Sequence, residues 1–376
     1  MNIGITCYPT YGGSGTVATE LGRRLAGRGH KIHFITTALP YRLTEFVENI
    51  YFHEVQVFHY PLFDYVHYSL SLASKMAQIA LREELDLLHV HYAIPHATSA
   101  YLAKKIVEGK KILPVITTLH GTDITLVGID PSYYDITRFS IEESDAVTAV
   151  SQYLRNQTLY RFAVEKKIEV IPNFVDPDRF KPEPSMCRTC FAQPGEKILM
   201  HISNFRPVKR VQDIIEVFDG VVKHMKAHLI LVGSGPEKEN ARILAEQKGI
   251  ADRVHFLGRQ EDVSSIIPLA DLYLLLSEHE SFGLTALEAM SCEVPVVGTS
   301  GSGMEGFLGD GAAGLLFPVG DISAMVDGCL RILGNPELAK KMGKQGRARV
   351  IEEYHVDKIV DRYEALYRAV LREGIA

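Results

Sequence analysis

No apolar run in the 376-residue chain approaches the roughly 20 residues needed to cross a bilayer. Met1-Asn2-Ile3-Gly4-Ile5-Thr6-Cys7-Tyr8 also lacks the charged start and long apolar stretch of a secretory leader. The expectation is a cytoplasmic protein with no membrane partner. A basic excess is missing too: 40 Lys and Arg stand against 46 Asp and Glu, a net charge of −6. A nucleic-acid binder would favour the opposite sign, so none is expected as a partner. Up to residue 170 there are 16 basic and 17 acidic residues, so the first half is no polybasic membrane-docking domain either. Cysteines are few and odd in number, five in all, which fits a reducing compartment better than a disulfide framework. Cys187 and Cys190 form a lone C-x-x-C. Two ligands do not make a structural zinc site, which leaves ordinary linker thiols or a redox-sensing pair. No His/Cys/carboxylate cluster has convincing zinc spacing, and an Asp-x-Asp motif to hold a catalytic metal on a diphosphate is read as absent, so neither metal nor cofactor is expected.

What is present describes a soluble globular enzyme-sized chain. Hydrophobic residues make up 46% and charged residues 23%. At roughly 100–200 residues per domain, the length implies two domains. Short β-branched runs alternate with amphipathic helical stretches, the pattern of βαβ units around a parallel sheet. Ile3–Tyr8, Lys31–Thr36, Leu87–His91, Ile112–Thr118, Ala146–Val150 and Ile168–Ile171 read as strands. A first helix buries Val17, Ala18, Leu21, Leu25 and Ala26 and closes at Gly29. Pro172, Pro177, Pro182, Pro184 and Pro194 then cluster among polar residues, which reads as an extended linker. The alternation restarts with strands at Ile198–Ile202, Leu229–Val232, Val254–Leu257, Leu272–Leu276 and Val294–Val297. The spacing thus predicts two open α/β domains, residues 1–170 and 171–356. A terminal helix over about 357–376, with Ile359, Val360, Tyr363, Leu366, Tyr367 and Val370 on one side, is expected to pack back on the first.

Open α/β sheets bind ligands at the carboxyl ends of their strands, so the loops there carry the candidates. The first loop, Gly12-Gly13-Ser14-Gly15, matches a dinucleotide fingerprint loosely, but the second strand ends in Thr36-Thr37-Ala38, with no carboxylate for a ribose. It is either a bare-backbone approach to a helix N-terminus or a packing turn. The strongest constellation is Glu280-Ser281-Phe282-Gly283-Leu284-Thr285-Ala286-Leu287-Glu288, which follows a strand and opens a helix. The N–H groups of Gly283, Leu284 and Thr285 would suit a phosphate, and the flanking glutamates would suit sugar hydroxyls. Solvated helix charges are the plain alternative. Upstream, Ser203-Asn204-Phe205-Arg206-Pro207-Val208-Lys209-Arg210 follows the first strand of the second domain and can neutralise a diphosphate. Val232-Gly233-Ser234-Gly235-Pro236-Glu237 and Val254-His255-Phe256-Leu257-Gly258 mark two further strand ends.

Together these pieces resemble the retaining glycosyltransferases of family four, over nearly the whole chain. The resemblance implies a GT-B fold: two Rossmann-like, doubly wound α/β domains facing each other across a cleft. It implies that Lys209 and its loop hold the diphosphate of a nucleotide-sugar donor, that Glu288 takes the ribose and that Glu280 sits near the sugar. Gly15, Phe282, Gly283, Leu284 and Thr285 would contribute backbone around the donor, and Phe256, Leu257 and Arg259 would face the base. The family carries Arg five residues before that Lys; here the position is Asn204, so Asn204 or Arg206 must meet the diphosphate. His120, in His120-Gly121-Thr122-Asp123, matches the histidine that touches the donor sugar. His53, His89, His91 and His96 have weaker claims. Catalysis is expected from His120, Lys209 and Glu280, without a metal and by a front-face route in which the leaving phosphate helps deprotonate the acceptor.

Cys7-Tyr8-Pro9, His91-Tyr92-Ala93-Ile94-Pro95-His96 and the loops above resemble, more closely, the branch of the family that glycosylates L-malate in bacillithiol synthesis. That implies UDP-GlcNAc as donor and L-malate as acceptor. By analogy with the related inositol-phosphate enzymes of mycothiol synthesis, Ser14, Tyr92, Thr122 and Arg138 would bind the acceptor. A lipid or polysaccharide acceptor, or a non-catalytic nucleotide-sugar sensor, are the competing expectations, and a homo-oligomer is allowed.

Overall fold

The structure is a computed structural model that describes residues 1–10, 12–43, 45–58, 67–183 and 186–373. Pro184 and the last three residues of the terminal helix expected over 357–376 lie outside the described residues. The chain forms two compact units, residues 1–173 with 357–376, and residues 174–356.

The first unit is built on seven parallel strands: β1 (Asn2–Thr6), β2 (Lys31–Thr36), β3 (Ile50–Glu54), β4 (Leu87–His91), β5 (Val115–Leu119), β6 (Ala146–Ala149) and β7 (Ile168–Val170). Their order is β3-β2-β1-β4-β5-β6-β7. Ile3 lies between Ile32 and Leu87 in register. Every residue of β4 and β5 is buried, because helices cover both faces of a parallel sheet. The helices are α1 (Gly13–Gly27), α2 (Tyr68–Arg82), α3 (Thr98–Val107), α4 (Tyr134–Glu142) and α5 (Gln152–Phe162). In α1 the stripe Val17, Ala18, Leu21, Leu25 and Ala26 is buried.

The second unit repeats the plan with six parallel strands: β8 (Lys197–Ser203), β9 (Ala227–Gly233), β10 (Val254–Gly258), β11 (Leu272–Leu275), β12 (Val296–Thr299) and β13 (Gly314–Phe317). Their order is β10-β9-β8-β11-β12-β13. Helices α6 (Val211–Val222), α7 (Lys238–Gln247), α8 (Leu284–Ser291), α9 (Glu305–Leu308), α10 (Ile322–Leu333) and α11 (Pro336–Glu353) surround it. In both sheets the strand order reverses once, between β1 and β4 and between β8 and β11. These are the topological switch points, where crevices open at the strand ends.

The last helix, α12 (Val356–Glu373), returns to the first unit. It buries Ile359, Val360, Tyr363, Tyr367 and Val370, while Leu366 is half-buried. Glu364 pairs with His30 at 2.7 Å, Asp361 with Arg28 at 2.5 Å, and the Tyr367 hydroxyl meets His89 Nδ1 at 2.7 Å. The two chain crossings run side by side: Val175 N–H donates to Tyr354 O at 3.0 Å and Val356 N–H to Val175 O at 3.1 Å.

The proline-rich stretch is no free linker. Phe174, Val175, Phe180 and Ala192 are buried in the second unit, and Arg347 donates to the carbonyls of Pro177 and Phe180. Proline blocks helix and ladder formation there, but it does not prevent packing. Strands β3 and β13 carry no strong signal in the sequence. The first is an edge strand with no fully buried residue, and the second is four residues long.

Candidate active site

Each switch point carries a cluster of polar side chains. In the first unit, β1 leads through the glycine-rich turn into α1. A Cβ on Gly15 would sit 2.8 Å from the Tyr8 carbonyl oxygen and 2.9 Å from that of Thr10, so the turn itself requires this glycine. Its neighbour Ser14 is half-buried at the start of the helix. On the other side of the switch point, Tyr92 follows β4 with φ at 87° and donates its hydroxyl to Ser14 Oγ at 2.7 Å. The Thr122 hydroxyl hydrogen-bonds the same phenol, and burial raises the Tyr92 pKa, so the group stays a neutral donor. Ser14, Tyr92 and Thr122 therefore converge. Arg138 does not join them: it is exposed on α4, and no hydrogen bond or ion pair links it to the three.

His120 stands at the end of β5, half-buried, with its ring centroid 5.2 Å from that of Tyr92. Its Nε2 meets Nδ1 of the fully buried His91 at 2.7 Å. Burial lowers His120 to about 3 and takes His91 well below the ordinary range, so both rings are neutral near pH 7. His96 Nδ1 contacts the His91 carbonyl at 2.5 Å, and His89 bridges Tyr367 and Thr118 at 2.7 Å each. His53 is elsewhere, paired with His33 at 2.9 Å. The turn after His120 is held by Asp123, a residue to which the sequence reading gave no role. Its carboxylate accepts from the N–H groups of Ala93 at 2.8 Å and Gly121 at 3.0 Å, tying the β5 turn to the β4 turn. Burial pushes this carboxyl up to about 6. No local sequence signal marks it, because an aspartate in a turn usually accepts from the N–H two residues further on, whereas Asp123 accepts from residues that precede it.

In the second unit the switch point joins the loop after β8 to the loop after β11. Lys209 Nζ donates to Glu280 Oε2 at 2.7 Å, and the Glu278 N–H donates to the Val208 carbonyl at 2.8 Å. The two side chains are 21% and 14% exposed, a pair mostly removed from water but still reachable. Burial would raise the Glu280 pKa, but the Lys209 ammonium and the hydrogen bonds from Lys209, the Phe282 N–H and Ser277 outweigh it and hold the carboxyl below its usual value. Gly283 caps α8 with φ at 95°, and the first intrahelical donors are Ala286 and Leu287, both to the Gly283 carbonyl. The N–H groups of Leu284 and Thr285 therefore precede the helical ladder, at the positive end of its dipole. The Phe282 side chain is packed inward against Phe307 and Tyr354, so only its backbone faces Glu280. Glu288 is 4% exposed.

The remaining residues of this loop differ in availability. Arg210 is bound to Asp213 at 2.7 Å, whereas Arg206 is exposed and makes no ion pair among the described residues. Asn204 is half-buried, and its Oδ1 is buried with no hydrogen-bond partner. Phe256 and Leu257 are half-buried and Arg259 exposed at the end of β10, two strands away in the same sheet. One Asp-x-Asp spacing does occur, Asp176-Pro177-Asp178, contrary to the sequence reading. It forms a local turn, Asp178 N–H to Asp176 Oδ1 at 3.1 Å, and belongs to neither switch point. Among the described residues no group of three or more His, Cys, Asp or Glu is arranged to hold a metal ion.

Two Rossmann-type sheets, each with a polar cluster at its switch point, define a two-domain α/β transferase of the GT-B class. Residues 11–179 match the family model described as Glycosyltransferase Family 4, and residues 191–349 match Glycosyl transferases group 1. The curated N-acetyl-alpha-D-glucosaminyl L-malate synthase of Bacillus anthracis is 50% identical over 376 residues, covering 99% of this chain and 98% of that one. A phosphatidyl-myo-inositol mannosyltransferase of Mycobacterium leprae is 24% identical, covering 100% and 98%. Among solved structures, sucrose-phosphate synthase from Thermosynechococcus elongatus superposes with a TM-score of 0.83 at 21% identity, covering 99% and 100%. Anabaena HepE in complex with UDP and glucose superposes at 0.81 and 20%, covering 97% and 99%. The chain belongs to the family-four glycosyltransferases. Among the described residues no helix is long and apolar enough to cross a membrane.

Proposed function

We infer that the protein transfers N-acetylglucosamine from UDP-GlcNAc to the hydroxyl of L-malate with retention of the α configuration, the first step of bacillithiol synthesis. The single observation that carries this reading is the 50% identity, over essentially both full lengths, to the Bacillus anthracis enzyme of that name. The geometry gives each step a physical agent. Lys209, with Arg206 or Asn204 beside it, meets the diphosphate, and the open N–H groups of Leu284 and Thr285 add donors there. Charge developing on the departing UDP is then stabilised by groups already in place. Glu280 holds Lys209 in position before the donor arrives and accepts from a sugar hydroxyl afterwards. Glu288 takes the ribose, and Phe256, Leu257 and Arg259 flank the base. His120 donates to the sugar as a neutral ring. On the acceptor side, Ser14, Tyr92 and Thr122 offer hydroxyls to a dicarboxylate, while Arg138 stands apart from them on α4.

The carboxylates within the two clusters, Asp123 and Glu280, are engaged by backbone N–H groups and by Lys209, which favours a front-face route in which the leaving phosphate takes the acceptor proton. The test is UDP release from UDP-GlcNAc with and without L-malate, with NMR of the product's anomeric proton. Malate-stimulated release and an α-linked product are expected. Release that ignores malate but responds to a lipid or glycan acceptor would replace the acceptor assignment, and absence of turnover with any acceptor would leave a nucleotide-sugar sensor.

A further inference from the structure

His91 is fully buried, and nothing in the proposed reaction uses it. Its two ring nitrogens are in different situations. Nδ1 lies 2.7 Å from Nε2 of His120, while Nε2 is buried with no hydrogen-bond partner. A neutral imidazole carries one proton, so the contact with His120 admits two arrangements. In one, His120 donates from Nε2 to a bare His91 Nδ1, and the His91 proton must then sit on Nε2 as a buried N–H without an acceptor. In the other, His91 donates from Nδ1, its orphaned Nε2 is only an unused lone pair, and the proton of His120 moves to Nδ1. Buried unpaired N–H groups are the rarer of the two defects, and each costs about 1–3 kcal/mol. The accounting therefore favours the second arrangement.

We propose that His91 is a positioning residue for the transfer reaction: through its Nδ1–H···Nε2 bond it fixes His120 in the tautomer that presents Nδ1–H to the substrate. The proposal rests on the reading of His120 as a substrate contact. Among the described residues Nδ1 of His120 has no protein partner, so it is available to an oxygen lone pair of the sugar or its phosphate. The surroundings support a ring that donates without carrying charge, since burial keeps both imidazoles neutral. A neutral imidazole acting as a hydrogen-bond donor is an established catalytic use of histidine. His91 is itself held in place, because its carbonyl accepts from His96 and its ring lies 4.6 Å from that of His89.

The experiment reads tautomer and turnover separately. Long-range 1H–15N correlation spectra of the full-length protein, with the His120 signals assigned by their loss in His120→Ala, report which nitrogen carries the proton. The wild type should show His120 protonated at Nδ1; protonation at Nε2 overturns the proposal. His91→Phe should release the tautomer and lower kcat at least about tenfold. His91→Asn, whose amide places an N–H near the position of Nδ1, should recover most of that loss. Because a buried substitution can destabilise the fold, the same comparison is made at His120. There His120→Asn, which keeps a donor near Nδ1, should retain more activity than His120→Gln, which places one near Nε2. Equal losses in both pairs overturn the proposal, as does wild-type kcat in His91→Phe. If instead the wild type fails to turn over UDP-GlcNAc with malate, the activity assignment has failed, and the spectra still decide the tautomer. If His120→Ala keeps wild-type kcat while the spectra show Nδ1–H, His120 touches no substrate and the positioning role falls with it.

Discussion

Replacing Lys209 by Met removes the charge at the second switch point while nearly keeping the length of the side chain, and its effects can be worked out in two parts. The first is catalytic. Loss of one preorganised donor to a developing anion costs about 10²–10³ in kcat/KM, or roughly 3–4 kcal/mol. The second is structural. Lys209 and Glu280 are 21% and 14% exposed and 2.7 Å apart. Removing one partner of a fully buried pair costs about 3–5 kcal/mol, and residual solvent access at this pair brings the figure down to about 2–3. The pH dependence carries a distinctive sign. With Lys209 present, the Glu280 pKa is below its unfolded value, so the pair's stability is in place above the usual carboxylate range and is lost as pH falls through the lowered pKa. Without Lys209, burial becomes the main influence and pushes the same carboxyl up. Stability should then be lost as pH rises, and the variant's deficit should be larger at pH 7 than at pH 5. Hydrogen exchange of β8 and β11 amides at both pH values reads the stability, and UDP release reads turnover. Glu280→Gln added to Lys209→Met should recover part of the stability and none of the activity. Wild-type turnover in the single variant would refute the diphosphate role, and a deficit independent of pH would refute the coupling to Glu280.

Three further outcomes follow from the same structure. Asp123 has its pKa pushed up to about 6, so its charged form destabilises the first unit by roughly 2–3 kcal/mol as pH rises from 4 to above 6; Asp123→Asn should abolish that decline in urea-midpoint profiles, and an unchanged profile would assign it to another group. Thiol titration of the native protein should find two fast groups, Cys187 and Cys190, with Cys187 the more reactive because the Thr189 hydroxyl and its neighbours lower its pKa; Cys7, Cys292 and Cys329 are buried and should react only on unfolding, and a third fast thiol would contradict this. Tyr367→Phe should leave His89 Nδ1 without its partner at a cost of about 1–3 kcal/mol, seen as a lower thermal midpoint, and an unchanged midpoint would mean that water replaces the hydroxyl.

How much of this was legible in the sequence varied with the physical signal. Strands buried on both faces appear as unbroken apolar or β-branched runs between helical stretches; Leu87–His91 was read with its observed bounds, whereas the strand read over Ile112–Thr118 runs from Val115 to Leu119. The edge strand Ile50–Glu54 has no such run, because one side of an edge needs no burial, and it went unseen. The proline-rich stretch was misjudged because proline reports lost donors and a fixed φ, and neither says whether Phe174 and Phe180 find a core. At the candidate site, strand-end loops pointed to Lys209 and Glu280, since the fold puts such loops at the crevice, and the resemblance to a known family added His120. That Lys209 and Glu280 would bond each other depends on β8 and β11 being neighbours, a fact of strand order that no local spacing carries. The same holds for Tyr92 with Ser14 across β1 and β4. Asp123 and His91 act through backbone N–H groups and a ring tautomer, which become visible only once hydrogen bonds are counted. The resemblance to a known family supplied the acceptor; residue chemistry alone asked only for an anion-compatible pocket.

The return of α12 to the first unit has a consequence for biosynthesis. His30 and His89 occupy the first quarter of the chain, yet their partners Glu364 and Tyr367 are translated at its far end. The second unit, whose residues run without interruption from 174 to 356, can close its core while the ribosome is still adding α12. At about 5–20 residues per second the first unit must wait many seconds, open on the face that α12 will cover, before its last helix emerges. The part of the protein made first is thus the part finished last, and its exposed interval is the one in which a chaperone has something to hold.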